Sequence, residues 1–176
     1  MSKPFFPKKG LVITALMTGN KKLFTFALKE LEKEFGGCFL ISPWSKFTHS
    51  VYYEDEMGKN LEKRFICFKN PVNQGSLSDI KHKVYQIENK YLEGNKRTLN
   101  LDPGILTPDK YVLSTFKNFS HRIYIGDKVF AEVEFTFKNN EPVFFEWTYP
   151  DYRQKNICLF FMIARKYLLF FNSFNN

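Results

Sequence analysis

His121 and Arg122 stand just before a turn signal at Gly126-Asp127, and Glu132, Glu134 and Glu146 follow it. An imidazole that titrates near neutral pH, set beside carboxylates, suits a general base; with two carboxylates it also suits a divalent-metal site. The same residues on neighbouring strands would equally make a His–carboxylate pair packed against aromatic rings. Arg122 with Glu146 is either an ion pair or a planar two-point grip on phosphate or carboxylate. Two further segments join polar groups to a stiff backbone. Asn100-Leu101-Asp102-Pro103-Gly104 sets Asp102 at the exit of an expected strand, with Lys110 following, and Tyr149-Pro150-Asp151-Tyr152-Arg153 links the last strand to the last helix. In each the aspartate either caps a turn or helix, or faces a ligand. His121, Asp102 and Glu146 are thus the candidates for proton transfer. Arg122, Arg153, Lys110 and Asp151 are the candidates for holding a ligand. His49 and His82 look like single histidines without partners.

Several chemistries are absent at the level of motif. No G-x-x-x-x-G-K-[ST] occurs, so a phosphate-gripping P-loop has no residues to form it. The glycine fingerprint of dinucleotide sites, the zincin helix, the nucleophile elbow and the EF-hand loop are missing as well. Cys38, Cys67 and Cys158 lie far apart in apolar surroundings, which suggests free buried thiols in a reducing cytoplasm. A net charge of +8 is spread along the whole chain rather than gathered in a tail, as expected of a generally basic surface.

Positioning these groups requires a folded core, and 176 residues with 44% hydrophobic side chains suffice for one globular domain. The apolar run 11–17 follows Lys8-Lys9 but is short and lacks a small-x-small cleavage site, so it is expected as a buried strand rather than an export signal. Apolar residues at helical spacing predict a helix over 21–35, which Gly36-Gly37 should stop. Strands are expected at 38–41 and 64–68. Ser76 and Asp79 then suggest a capping-box variant ahead of a second helix marked by Ile80, Val84, Ile87 and Tyr91 and ending at Gly94. A fourth strand is expected at 98–101, with a turn at Asp102-Pro103-Gly104. The order strand, helix, strand, strand, helix, strand is that of the split βαβ arrangement in ferredoxin-like folds.

Thr107-Pro108-Asp109 resembles a helix start, predicting a short helix to about Phe116. A three-stranded antiparallel meander at 121–125, 129–137 and 143–147 should follow, and then a helix with a buried stripe of Ile157, Phe160, Phe161, Ala164, Leu168 and Phe171. The apolar run 157–171 is too short, and too interrupted by Arg165-Lys166, to predict a membrane span. A two-residue loop at Gly126-Asp127 would set His121 opposite Glu132 and Arg122 opposite Ala131. A four-residue loop at 138–141 would pair residues whose numbers sum to 279, bringing Val133 to Glu146 and Glu132 to Trp147. His121, Glu132 and Glu134 would then share one face, and Arg122 and Glu146 the other.

Four blocks carry a resemblance: Tyr52-Tyr53-Glu54-Asp55-Glu56-Met57-Gly58, Asn100-Leu101-Asp102-Pro103-Gly104-Ile105-Leu106, Ser120-His121-Arg122-Ile123-Tyr124, and Glu146-Trp147-Thr148-Tyr149-Pro150-Asp151-Tyr152-Arg153. On these the chain resembles the bacterial domain-of-unknown-function family numbered 4416 over nearly its whole length. The family has no established activity, and the label "GTP-binding protein" carried by some members finds no phosphate loop here. The resemblance implies that Asp102, His121, Arg122, Glu146, Asp151 and Arg153 are motif positions.

The expected whole is a cytoplasmic α+β domain, residues 1–176, with a ferredoxin-like half, a short helix, a meander and a final helix. It would hold a small anionic ligand, a nucleotide or phosphorylated metabolite, in a pocket of arginine, histidine and carboxylates. The cofactor, and whether a divalent metal binds near Glu132 and Glu134, are left open by the sequence; no membrane partner is expected, and neither catalysis nor oligomeric state is specified. The alternatives are an RNA-binding module, which would stack bases on an open sheet face, and a non-catalytic assembly subunit docking through surface phenylalanines such as those at 170–174.

Overall fold

The computed structural model describes residues 3–47 and 56–174. In chain order the elements are β1 (Gly10–Thr18), α1 (Leu23–Phe35), β2 (Cys38–Ile41), β3 (Ser45–Lys46), β4 (Glu62–Val72), α2 (Leu77–Asn89), β5 (Leu92–Glu93), β6 (Lys96–Arg97), β7 (Leu99–Leu106), β8 (Lys110–Thr115), β9 (Ile123–Gly126), β10 (Val129–Lys138), β11 (Glu141–Phe144) and α3 (Lys155–Phe174). This is a mixed α+β protein. The main sheet runs β11-β10-β8-β7-β1-β4-β2, with β9 on β10 and β3 on β4, and each of its pairings is antiparallel.

The sheet is covered on both faces, which is why β1 is a continuous apolar run instead of an alternating one. Val12, Leu16, Ile66, Leu101 and Ile105 meet α1 and α2 through Ala27, Leu31, Ile80, Val84 and Ile87. Leu11, Ile13, Ala15, Phe65, Tyr111 and Phe135 meet α3 through Ile157, Phe160, Phe161, Ala164 and Leu168. A base-stacking platform of the kind the RNA alternative uses is therefore occupied by α3. By length and composition α3 could cross a membrane, but its inward stripe belongs to this core.

The first hundred residues follow the expected order of elements, with local corrections. Gly36, at φ 84°, ends α1 as the sequence suggests, its amide donating to Glu32 O. The capping box does not form: Ser76 Oγ donates to Asn73 O, at 2.7 Å, in a 3₁₀ turn ahead of α2. The helix stops at Asn89, leaving Tyr91 beyond it and Gly94 in the β5–β6 hairpin.

Two larger corrections concern 102–116. Asp102-Pro103-Gly104 is not a turn but the middle of β7, where Asp102 pairs with Ala15 and Gly104 with Ile13. The expected helix after Pro108 is instead strand β8. Thr107 does accept from the amides of Asp109 and Lys110, as a cap would, but Thr107 N also donates to Lys110 O and closes a hairpin. Alternating Tyr111, Leu113 and Thr115 on one side, and Val112 and Ser114 on the other, suit a pleated strand.

Gly104 is required by contact. A Cβ there would lie 2.5 Å from Val112 O and 2.6 Å from the Tyr111 ring, whose hydroxyl donates to Ile13 O at 3.1 Å. Gly104→Ala should cost about 1–3 kcal/mol by overpacking, measured by urea unfolding. An unchanged midpoint would show that β7 and β8 can separate without loss.

Candidate functional site

Pro103 determines where the sheet opens. Its carbonyl faces β8 and accepts from Ser114 Oγ at 2.8 Å, while the β7–β8 ladder stops one residue away, at Gly104↔Leu113. Proline has no amide to continue that ladder. Beyond this point Lys81 of α2 reaches the two strands' gap, donating to Leu101 O at 3.2 Å and lying 3.5 Å from Asp102 Oδ1.

A cleft of about 170 Å³ occupies this end of the sheet. Its charged lining comes from Lys63, Lys81, Glu88, Arg97, Asp102, Lys117, Arg122 and Glu132, and its aromatic walls include Phe47, Tyr85, Phe116, Tyr149 and Tyr152. Helix α2 supplies Lys81, Tyr85 and Glu88, strands β4, β6, β7 and β10 supply Lys63, Arg97, Asp102 and Glu132, and the connecting segments supply the rest.

Glu132 is the best-held acid. It is 3% exposed; Arg122 Nε donates to its Oε2 at 3.0 Å and Arg122 Nη2 to its Oε1 at 3.3 Å. His121 Nε2 lies 2.6 Å from the same Oε2, and its ring stacks on Trp147 at 4.9 Å, with Phe145 stacked beyond. The contact of His121 with Glu132 is as expected; the company of Arg122 is not. The turn in the first hairpin is Asp127-Lys128, closed by Gly126↔Val129, and an irregularity at Phe130 shifts the rest so that Ile123 faces Ala131. His121 and Arg122 consequently precede β9, in a turn where Arg122 N donates to Phe119 O, and both fold onto Glu132.

The second hairpin keeps the expected sum of 279 from Lys138↔Glu141 to Phe135↔Phe144, on a two-residue turn of Asn139 and Asn140 with positive φ. It ends there. Residues 145–148 turn back, so that Trp147 Nε1 donates to Val133 O at 2.9 Å and the Thr148 hydroxyl donates to Glu134 O. Glu146 is left exposed, with no ion pair among the described residues, and does not join Arg122. Glu134 is the extra residue of a bulge between Val133 and Phe135 and is fully buried, neither oxygen having a well-formed hydrogen bond. It does not share a site with His121, and no group of three metal-ligating side chains occurs among the described residues.

Other candidates divide. Asp102 lines the cleft, accepting from Asn100 Nδ2 at 2.6 Å. Burial opposes its charge, but Lys81, Lys63 and Asn100 outweigh that and hold the carboxyl below its usual range. Asp151 is buried beneath the cleft, 2.6 Å from Lys63 Nζ; that ammonium is packed among Phe47, Phe65, Tyr149 and Tyr152 rings. Burial would lower the Lys63 pKa, and Asp151 and Asp102 reverse the sign. Lys110 is at the Thr107 turn, the opposite end of β8. Arg153 donates to Phe145 O at 2.5 Å and lies over the Phe144 ring, away from the cleft. His82 Nε2 contacts Asp127 O at 2.8 Å, so it does have a partner; His49 lies outside the described residues, as do Tyr52, Tyr53, Glu54 and Asp55.

The sequence reading missed Lys63, Lys81, Glu88, Arg97 and Lys117. A signal existed for three: Lys63 alternates with Phe65 and Cys67 on inward positions of β4, and Lys81 and Glu88 flank the buried stripe of α2. Glu88 Oε1 accepts from Leu101 N at 2.6 Å, and burial raises its pKa to about 7 against the pull of Lys81. Burial, reinforced by Glu132, raises Glu134 to about 8.

A family model described as Domain of unknown function (DUF4416) matches residues 7–167. No curated protein and no solved structure matches the chain.

The two raised carboxyls give stability a definite pH dependence. Between the ordinary 4.5 and about 8 the folded state keeps a proton on Glu134 that the unfolded chain has released. Stability therefore falls as pH rises through that window, by up to about 1.4 kcal/mol per unit, and Glu88 acts in the same direction up to about 7. Glu134→Gln should gain on the wild type by more than about 1 kcal/mol between pH ~5 and pH ~8.5 in urea melts. Parallel pH profiles for the two proteins would contradict the assignment.

Proposed function

The chain belongs to the DUF4416 family, and we propose that its cleft binds a small anionic ligand, a phosphorylated or carboxylated metabolite. The observation that carries this is the convergence of Lys81, Asp102, Arg122, Glu132 and Lys63 on one opening at the end of the sheet. Buried ion pairs add little net stability because desolvation offsets their attraction, so the fold alone does not require such a concentration. Perturbed ionisable groups in a cleft are instead a mark of binding and catalytic sites.

In this proposal Arg122, with Lys81 and Lys117 on the cleft wall, receives the anionic group. Asp102, ionised and partly open to the cleft, accepts a hydroxyl or amine proton of the ligand, and is the group placed to act as a base if a reaction occurs. His121 acts through Glu132 as a positioning residue, since it does not itself line the opening. A cleft of about 170 Å³ suits a small metabolite better than a whole nucleotide, drug-sized ligands taking upward of about 300 Å³. The ferredoxin-like assignment of the first half belongs to the same proposal; its support is the antiparallel order β7-β1-β4-β2 with α1 and α2 on one face. Free thiols at Cys38, Cys67 and Cys158 suit the proposed cytoplasmic setting.

A thermal-shift screen with inorganic phosphate, sugar phosphates, nucleoside monophosphates and dicarboxylates should find a class that raises the Tm, because selective binding to the folded state stabilises it. In calorimetric titration Arg122→Gln should weaken that ligand at least about tenfold, the loss of one charge-assisted contact, while Lys110→Ala and Arg153→Ala leave it unchanged. A flat screen, or equal loss in all three variants, would overturn the proposal.

A further inference from the structure

At the end of the molecule away from the cleft, residues 3–9 run without regular structure beside the last turns of α3. The two segments share a groove lined by Phe5, Pro7, Lys8, Leu169, Asn172 and Ser173, and Gln74 Nε2 ties Lys8 O at 2.9 Å. Phenylalanines project from both: Phe5 is 87% exposed, Phe6 98%, Phe170 65% and Phe174 72%. Phe170 and Phe174 touch each other, with ring centroids 4.7 Å apart, and the outward row continues up α3 through Ile163 and Leu159. Four large rings left in water is far more than scattered surface apolarity requires.

The charges around this patch identify what covers it. Lys3, Lys8 and Lys9 flank the first pair of rings, and Lys166 lies one turn before Phe170. None of these lysines has an ion pair among the described residues. α3 carries no acidic residue, and Asp109 is the one acid on the shared groove. A second copy would bring the same lysines against their equivalents, so self-association by this face is opposed by like charge.

We infer that this end of the protein docks on the surface of an anionic phospholipid bilayer, with the phenylalanines entering the boundary between headgroups and acyl chains and the lysines meeting phosphates. Aromatic insertion with a basic surround is the physical basis of peripheral attachment. Rings on a projecting segment need no shaped pocket in a fluid surface. α3 lies along the bilayer rather than through it, since its inner stripe remains in the core. This patch shares no lining residue with the cleft.

The test is co-sedimentation of the full chain with vesicles of phosphatidylcholine alone and of phosphatidylcholine with phosphatidylglycerol, at low and high salt, alongside light scattering to fix the mass in solution. Binding is expected with the anionic vesicles, and should weaken at least tenfold with the neutral ones and on adding salt. Phe170→Ser with Phe174→Ser, both exposed, should reduce binding at least tenfold with circular dichroism and Tm unchanged; Phe6→Ser provides a second variant outside the helix. No binding to anionic vesicles, binding indifferent to these serines, or a dimer that the serines dissociate would each overturn it.

Discussion

One missing amide shapes the centre of this protein. Pro103 sits in an interior strand where every other backbone group is expected to be paired, and the ladder toward β8 ends beside it. Because both faces of the sheet are under helices, the interruption cannot simply be wetted from a solvated side. It is filled by α2, whose Lys81 comes to Leu101 O and Asp102, and Glu88 satisfies the neighbouring Leu101 amide. The cleft is thus a consequence of how β7 and β8 part.

The charges gathered there are coupled rather than independent. Lys63 depends on Asp151 and Asp102, Asp102 on Lys81 and Asn100, and Glu132 on Arg122 and His121. Glu134 has no such partner, and its proton is the means by which it stays buried beside Glu132. Each group taken singly would be expensive to bury; together they keep one arrangement and resist replacement of any member alone. The stack of Phe145, Trp147 and His121 then fixes the imidazole from the side the network does not reach.

Much of the scaffold was legible in the sequence because burial on two faces writes itself as unbroken apolar runs, as in β1, and burial on one helix stripe as a three-to-four period, as in α1 and α3. What failed depended on information that is not local. Thr107-Pro108-Asp109 has the chemistry of a helix cap and of a hairpin turn alike, and the pairing of this segment with β7 and β10, together with the packing of Tyr111 against α3, selects the strand. Asp102-Pro103-Gly104 has the composition of a turn, overridden by the pairing of β7 with β1. In the meander, left-handed residues at Asp127 and Lys128 moved the turn by one position. That shift carried Arg122 to Glu132, while the early end of the β10–β11 ladder at Phe144 left Glu146 in solvent, so the arrangement was half legible: His121 meets Glu132 as expected and Asp102 lines the cleft, but Arg122 takes Glu132 rather than Glu146 as its partner. The lysines of β4 and α2 carried a signal in their inward positions, but one easily passed over because a single charged residue in an apolar pattern is ordinarily solvated.

Met17, Lys63, Asp102 and Glu132 come from distant parts of the chain and meet through the cross-strand order of one sheet, and Tyr152 joins them from the turn after β11. As the polypeptide emerges during synthesis, α1 and β1 can settle early, but the opening has no complete wall until the segment after β11 has arrived. Completeness of the opening is thereby tied to completion of the whole architecture.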